Sequence, residues 1–463
     1  MRLSGYLILI GVVIGAAVVY VAAQSLLAVN QPLIVSAGFS HTVITPNADG
    51  SDDVAIFSYE LSATATVSLV LDGSRGQSFA FRQDVLRTSD RYQVAFSGVV
   101  DGFVLPDDEL YGQQVVRRLI PDDSYTWRLS AVSETGESVE STGQIVVSEG
   151  DAPLPLLPEF SVFPTLFTPN QDGISDRTRI NVFLEKESRL SVYLLPEAGG
   201  EPIYLAERLE NVMSDERGRH LFDYDGGVDN NADPPPNGTY TLVAEARDAV
   251  GQEVRHSATV TIAQGGKPFA EIVPQSIGVT VVFEQRPWED RFFSTREQLG
   301  ETIDPPADAD SLTRTTISIP VGDVLVFALT VENYSDVPIR THGPAPGTVY
   351  TWDQRASTFG ATDESGAWRV GLDCTTAVTD YPWRWALGNR ESLDVVVDPE
   401  TGNDYFYLPP GERVVVWGAV RMTDIEVRNP QTCWAGLIHE DVEVAEVNRN
   451  VGAREIRLIP PGA

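Results

Sequence analysis

A gap-free internal match is the strongest constraint on what this chain can fold into. Val43–Leu71 (VITPNADGSDDVAIFSYELSATATVSLVL) aligns with Leu166–Leu194 (LFTPNQDGISDRTRINVFLEKESRLSVYL) at an offset of 123 residues. Thr45-Pro46-Asn47, Asp49-Gly50 and Asp53 recur as Thr168-Pro169-Asn170, Asp172-Gly173 and Asp176. Apolar residues alternate behind both openings: Phe57, Tyr59, Leu61 and Val67, Leu69, Leu71 in the first, Ile180, Val182, Leu184 and Leu190, Val192, Leu194 in the second. A period of two is the signature of half-buried strands. A second match closes each unit at an offset of 115: Ser124-Tyr125-Thr126-Trp127 with Gly136, Ile145 and Val147 against Thr239-Tyr240-Thr241-Leu242 with Gly251, Val260 and Ile262. A shared head and tail around a middle eight residues shorter in the second unit mean two copies of one domain. Short alternating strands between Gly, Pro, Asn and Asp turns predict an antiparallel β-sandwich.

The opening TPNxDGxxD and the passage Asp223–Gly251 (DYDGGVDNNADPPPNGTYTLVAEARDAVG) resemble the immunoglobulin-like domain of the flagellar hook-capping protein (FlgD-type). The opening is also similar to that of gliding-motility-type C-terminal domains. The resemblance covers residues 36–265 and implies an Ig-like sandwich used as an extracellular spacer or adhesion module. The first copy departs from it in the middle, where Val100-Asp101-Gly102 and Leu105-Pro106-Asp107 stand in place of the longer passage.

Tyr6–Ala23 is continuously apolar, and no Lys or Arg occurs between Arg2 and Arg75. Eighteen helical residues span about 27 Å, close to a hydrocarbon core of ~30 Å. The charge asymmetry places the N-terminus inside and the body outside. A signal peptide cleaved after Ala23 is the alternative, giving a secreted body. Asp and Glu outnumber Lys and Arg by 66 to 33, a net charge of −33 that argues against nucleic acid as a partner.

Each TPNxDG loop sets oxygen donors in alternation: Asn47, Asp49 and Asp52 or Asp53, then Asn170, Asp172 and Asp176. Asp223, Asp225, Asp229, Asn231 and Asp233 form a third cluster and the best calcium candidate, since Ca²⁺ takes six to eight such oxygens. The bidentate Glu of an EF-hand is missing from both TPNxDG loops. Asx and Gly residues also make turns unaided, so plain turns are the competing reading.

Beyond a Pro-rich linker (Pro153, Pro155, Pro158) and a hinge at Gln264–Pro268, residues 270–463 carry no copy of the repeat. Thr330–Pro338 and Leu408–Val416 resemble strand and turn passages of exported CARDB-type Ig-like domains. We expect one larger sandwich with a long insertion at 353–407. The whole chain is then all-β: an N-terminal transmembrane helix at 1–30, followed by three Ig-like antiparallel β-sandwich domains at 36–150, 159–265 and 270–463.

Seven of the eight tryptophans lie in this last part. Trp368, Trp417 and Trp434 suit a sandwich core. Trp352, Trp383 and Trp385 fall outside clear strands and are candidates for stacking a glycan or anchoring a protein partner. Cys374 and Cys433 suit a disulfide in an exported domain, with free buried thiols as the alternative.

His439-Glu440-Asp441 and the many carboxylates raise a hydrolase, but no GxSxG or HExxH is present. The expected function is non-enzymatic: a membrane-anchored surface or envelope protein whose repeats present a C-terminal interaction domain. A glycan- or cell-wall-binding adhesin is the alternative, then a carboxylate hydrolase. Expected partners are the membrane, an envelope protein or glycan, and further copies of the chain; the only cofactor in view is calcium.

Overall fold

The computed structural model describes residues 31–208, 213–274, 278–307, 315–361, 364–397, 402–423 and 428–460. The apolar segment Tyr6–Ala23 lies outside them. Among the described residues no helix is long and apolar enough to cross a membrane. Helical structure there is confined to single 3₁₀ turns such as Val228–Asn230 and Ala356–Phe359.

The chain divides into two compact units. The first takes the chain up to Val162 together with Ile180–Phe222 and Thr241–Ala258. The second takes Phe163–Arg179, Asp223–Tyr240 and everything from Thr259 onward. The second repeat contributes to both units.

The duplication is visible strand by strand. In the first copy, Ile34–Phe39, Ala55–Leu61 and Arg91–Phe96 form a three-stranded sheet. A five-stranded sheet runs in the order Val43–Ile44, Ser138–Val147, Asp123–Ser133, Ala65–Gly73, Ser78–Arg87. The second copy repeats the three-stranded sheet as Glu159–Phe163, Thr178–Leu184 and Gly218–Tyr224. Its other sheet again runs from Glu253–Ile262 through Gly238–Arg247 and Arg189–Pro196 to Ile203–Tyr204. Alternation sets the faces: every second residue of Ala55–Leu61 is buried, and Phe57 meets Trp127 edge-on at 5.2 Å.

The repeated head and tail are both backbone locks. At the tail, the Tyr125 hydroxyl donates to the Pro121 carbonyl at 2.6 Å, and Tyr240 donates to Pro236 at 2.7 Å. This backward bond is the tyrosine corner of Ig-like sandwiches.

The middle differs for a structural reason. In the first copy, Val99–Asp101 and Gln114–Leu119 leave their own sandwich and extend the second copy's sheet, with Val254 opposite Val115. Gln252, fully buried, fastens this joint. Its carbonyl oxygen accepts Leu119 N–H at 3.2 Å, and its amide donates to the carbonyls of Asp151 and Pro153, both at 2.9 Å. Lys186 bridges Asp151 at 2.7 Å and Asp248 at 2.6 Å. The proline stretch is therefore packed: Leu157 is fully buried and donates its N–H to Gln113.

In the second unit, Ala270–Val273, Val324–Asn333, Arg413–Arg421 and Val349–Thr351 are neighbours in one sheet, and Val281–Arg286 also pairs with Val324–Asn333. The other sheet runs Thr316–Pro320, Val451–Ile459, Gln431–His439, Trp368–Cys374, Ile339–Thr341, Asp404–Leu408, Asp394–Val397. Two expectations are corrected here. Residues 353–407 are no insertion, since they supply Trp368–Cys374 and three further strands of this sheet, Trp383–Ala386 among them. The sheets are also mixed: Thr316–Pro320 runs parallel to Val451–Ile459, and Val349–Thr351 parallel to Arg413–Arg421.

Val324–Asn333 is buried on both faces because Phe292, Ile303 and Trp288 cover its outer side. On the inner side Trp385 packs so close to Gly418 that a Cβ there would lie 2.3 Å from the indole. Cys374 and Cys433 are register partners on neighbouring strands and form a disulfide. It closes a loop of 59 residues, contributing about 4 kcal/mol in the chain-entropy model.

Replacing Gln252 by Ala removes the partner of the Leu119 N–H and of the Asp151 carbonyl, while the Pro153 carbonyl keeps Lys186. We expect a loss of about 2–4 kcal/mol in urea unfolding of the full chain. A change below about 0.5 kcal/mol, the size of an ordinary surface substitution, would contradict the joint.

Candidate functional site

The repeated head is a loop closed on one carboxylate. In the first copy, Asp53 accepts the backbone N–H groups of Asn47, Ala48 and Gly50 at 2.7–3.0 Å. In the second, Asp176 accepts those of Asn170, Asp172 and Gly173 at 2.7–3.4 Å. Asn47 and Asn170 each accept the N–H two residues on, and Thr45 and Thr168 each donate to the carbonyl six residues on. Left-handed residues recur in step: Ala48, Gly50 and Asp52, then Gln171, Gly173 and Ser175. These carboxylates are occupied in holding backbone, which is the turn reading of the motif.

The two loops differ in their surroundings. Asp49 is exposed, whereas its counterpart Asp172 is buried. The second loop is seated on residues of the C-terminal part, within the second unit. The Tyr407 hydroxyl donates to the Asp172 carboxylate at 3.0 Å. Arg340, 3% exposed, donates from Nε to the Asp172 carbonyl at 2.6 Å, and through its terminal nitrogens to the Ser365 carbonyl and to Glu364. His439 donates from Nε2 to the Gln171 carbonyl at 2.7 Å, and its ring stacks on Trp368 at 4.4 Å. Close approach requires glycine on both sides. A Cβ on Gly173 would lie 2.0 Å from the Ser365 oxygen, and one on Gly366 would lie 2.2 Å from the Asp172 carbonyl carbon.

Burial shapes the charges at this seat. It pushes the Asp176 carboxyl up to about 6, with the Asp172 charge adding to the effect and the backbone N–H donors opposing it. It raises Asp172 as well. Burial pushes the His439 imidazole down to about 4. It raises the Tyr407 phenol, again reinforced by Asp172.

The expected metal cluster is put to another use. Asp223 accepts Arg177 Nε at 2.9 Å, Asp229 pairs with the same guanidinium, and Asp225 lies 3.8 Å from it. Asp225 also accepts the N–H groups of Gly227 and Asp229. Asn231 caps the 3₁₀ turn in a left-handed conformation, and Lys267 reaches both its carbonyl and Asp233. Arginine and lysine supply the positive charge that calcium was expected to bring. Among the described residues no group of three or more His, Cys, Asp or Glu is placed to hold a metal ion.

The tryptophan expectation is corrected too. Trp383 and Trp385 are buried core residues, and half-buried Trp352 packs against Trp383 at 4.7 Å. The enclosed rings of Trp383 and Trp385 offer no face to a glycan or partner. Glu440, the other member of the suspected hydrolytic triplet, is buried between Arg369 at 3.3 Å and Arg384 at 2.6 Å.

Among the described residues the second unit carries a two-lobed cleft. One lobe, about 410 Å³, is lined by Leu299, Pro344, Phe359 and the backbone of Gly300 and Gly343. The other, about 590 Å³, is lined by Arg340, Glu364, Asn403, Asp404 and Tyr405. His342 and Gly360 border both. Sequence reading missed this cleft because its residues come from stretches far apart in the chain, with no motif joining them.

No protein-family model matches the sequence, and no curated protein matches it. Among solved structures, a tetra-tandem repeat from the extending region of a large adhesion protein is 12% identical, covering 91% of this chain and 71% of that one, at a TM-score of 0.16. A Ca²⁺-stabilised ice-binding adhesin of an Antarctic bacterium is 11% identical, covering 91% and 72%, at 0.21. The chicken CNTN1 FN1-FN3 domains are 7% identical, covering 91% and 98%, at 0.19. Likeness at this level assigns no function; the all-β character rests on the strands themselves.

His439 and Asp176 give the seat opposite responses to acid. The unfolded imidazole takes its proton near 6.5 but the folded one only near 4, so stability present above 6.5 is lost as pH falls towards 4. The folded Asp176 carboxyl titrates near 6 against 3.8 unfolded, so its burial costs stability at neutral pH and that cost disappears as pH falls through 6. Each is worth on the order of 3 kcal/mol. In urea unfolding between about pH 7 and about pH 4.5, we expect His439→Gln to gain stability relative to wild type on acidification and Asp176→Asn to lose it. Parallel pH profiles for all three proteins would contradict the assignment.

Proposed function

We propose that this is a non-enzymatic surface protein in which the paired repeats act as a spacer and the C-terminal domain is the part presented. One observation carries the reading. The same loop that stands exposed in the first repeat is, in the second, the seat of the C-terminal domain, built with a buried arginine, a buried tyrosine and two obligatory glycines. A repeat whose end is shaped to hold the next domain serves as a carrier. The packed joint at Gln252 has the same character.

The carboxylates and histidine that could have suggested hydrolysis are spent on ion pairs and backbone bonds. The membrane tether belongs to this proposal: Tyr6–Ala23 holds the chain in a bilayer with the N-terminus inside, and secretion after cleavage at Ala23 is the variant of it. The charge of −33 then lies on the exported body, where it favours solubility and opposes close self-packing.

Expression of the full chain, followed by fractionation, protease treatment of intact cells and N-terminal sequencing, tests this. We expect membrane-associated protein with its body cleaved from outside and its N-terminus retained. A mature N-terminus at Gln24 in the medium would replace the tether by secretion. A body protected from external protease would overturn the reading.

A further inference from the structure

We infer that the two-lobed cleft of the second unit binds a neutral oligosaccharide. The site has the size of a small-molecule pocket, where about 300–1,000 Å³ is usual, and the two lobes meet at His342. Their linings differ in kind. The first offers Phe359, Pro344 and Leu299 with bare glycine backbone, a surface suited to the C–H face of a sugar ring. The second is polar, bordered by the Glu364 and Asp404 carboxylates, the Asn403 amide and the Tyr405 phenol, groups of the kind that exchange hydrogen bonds with hydroxyls.

The charge balance selects the ligand. Glu364 is held by Arg340 at 2.7 Å and faces His342 Nε2 at 3.3 Å. Asp404 is paired with Arg390. Burial lowers the His342 pKa, with the Glu364 charge opposing it. The acids of the polar lobe thus already have their cations, and a charged ligand would find no spare counter-charge. An anionic polymer would in addition be repelled by a chain of net charge −33. A hydroxyl-rich neutral chain uses both donors and acceptors without disturbing either ion pair. Leu299 is 69% exposed at the lip, so the apolar lobe is open to such a chain.

The inference rests on the surface reading only for access to glycans in place; binding itself is measured on purified protein, so the two can fail separately. The full chain in detergent is titrated by calorimetry with cellohexaose, laminarihexaose, xylohexaose and maltohexaose. A galacturonic-acid hexamer and hexalysine are the charged controls. We expect at least one neutral hexasaccharide to bind with Kd below about 1 mM, and Tyr405→Ala or Leu299→Asp to weaken it about tenfold or more. Leu299 is a lip residue, so its variant keeps the wild-type melting temperature and remains informative should Tyr405→Ala fold poorly. The inference is overturned if none of the four neutral sugars binds, if both variants bind like wild type, or if either charged control binds more tightly.

Discussion

The organisation of this protein depends on one carboxylate gathering three backbone N–H groups. A loop passing through three left-handed residues has no sheet to satisfy its donors, and burying such donors unpaired would cost about 1–3 kcal/mol each. Asp53 and Asp176 solve the same problem in the two copies. Once the donors are satisfied from inside, the loop can be covered. In the second copy it is covered, and its outward acceptors, the Asp172 carboxylate and the carbonyls of Gln171 and Asp172, need partners. Tyr407, His439 and Arg340 supply them. The self-contained loop is what allows a polar Asn-Asp-Gly turn to become part of a buried joint.

The cost of that joint is electrostatic. Asp172 and Asp176 are two carboxylates taken largely out of water next to each other, which raises both. Arg340 lies against the loop but is shared with Glu364 and Ser365. The histidine at the seat is kept neutral by the same burial.

Much of the fold was legible from the repeat. Its apolar alternation placed the sandwich strands, and its two repeated motifs proved to be the carboxylate loop and the tyrosine corner. The third segment was legible strand by strand where alternation was strong, as at Arg413–Arg421, and illegible at Ile339–Thr341 and Trp383–Ala386, which are too short to show a period. The acidic loop was open to a calcium reading because its count of oxygens says nothing about nearby cations. The residue after Asp176 is Arg177, where the first copy has Val54, and that single change supplies the charge the acids needed. The tryptophans misled for a related reason: Trp383 and Trp385 lie in a strand too short to recognise, whose pairing with Trp368–Cys374 turns both rings into the core, where the Trp385 indole donates to the Thr348 carbonyl. Most polar contacts of the seat and the cleft join residues distant in sequence, so no local pattern announces them.

The burial of the second loop can be read from amide hydrogen exchange of both loops in one intact chain. The amides of Asp172, Gly173 and Ile174 should exchange far more slowly than those of Asp49, Gly50 and Ser51, because the first set is released only when the joint opens. Equal exchange in the two loops would contradict the burial of the second one and with it the proposed carrier role of the repeats.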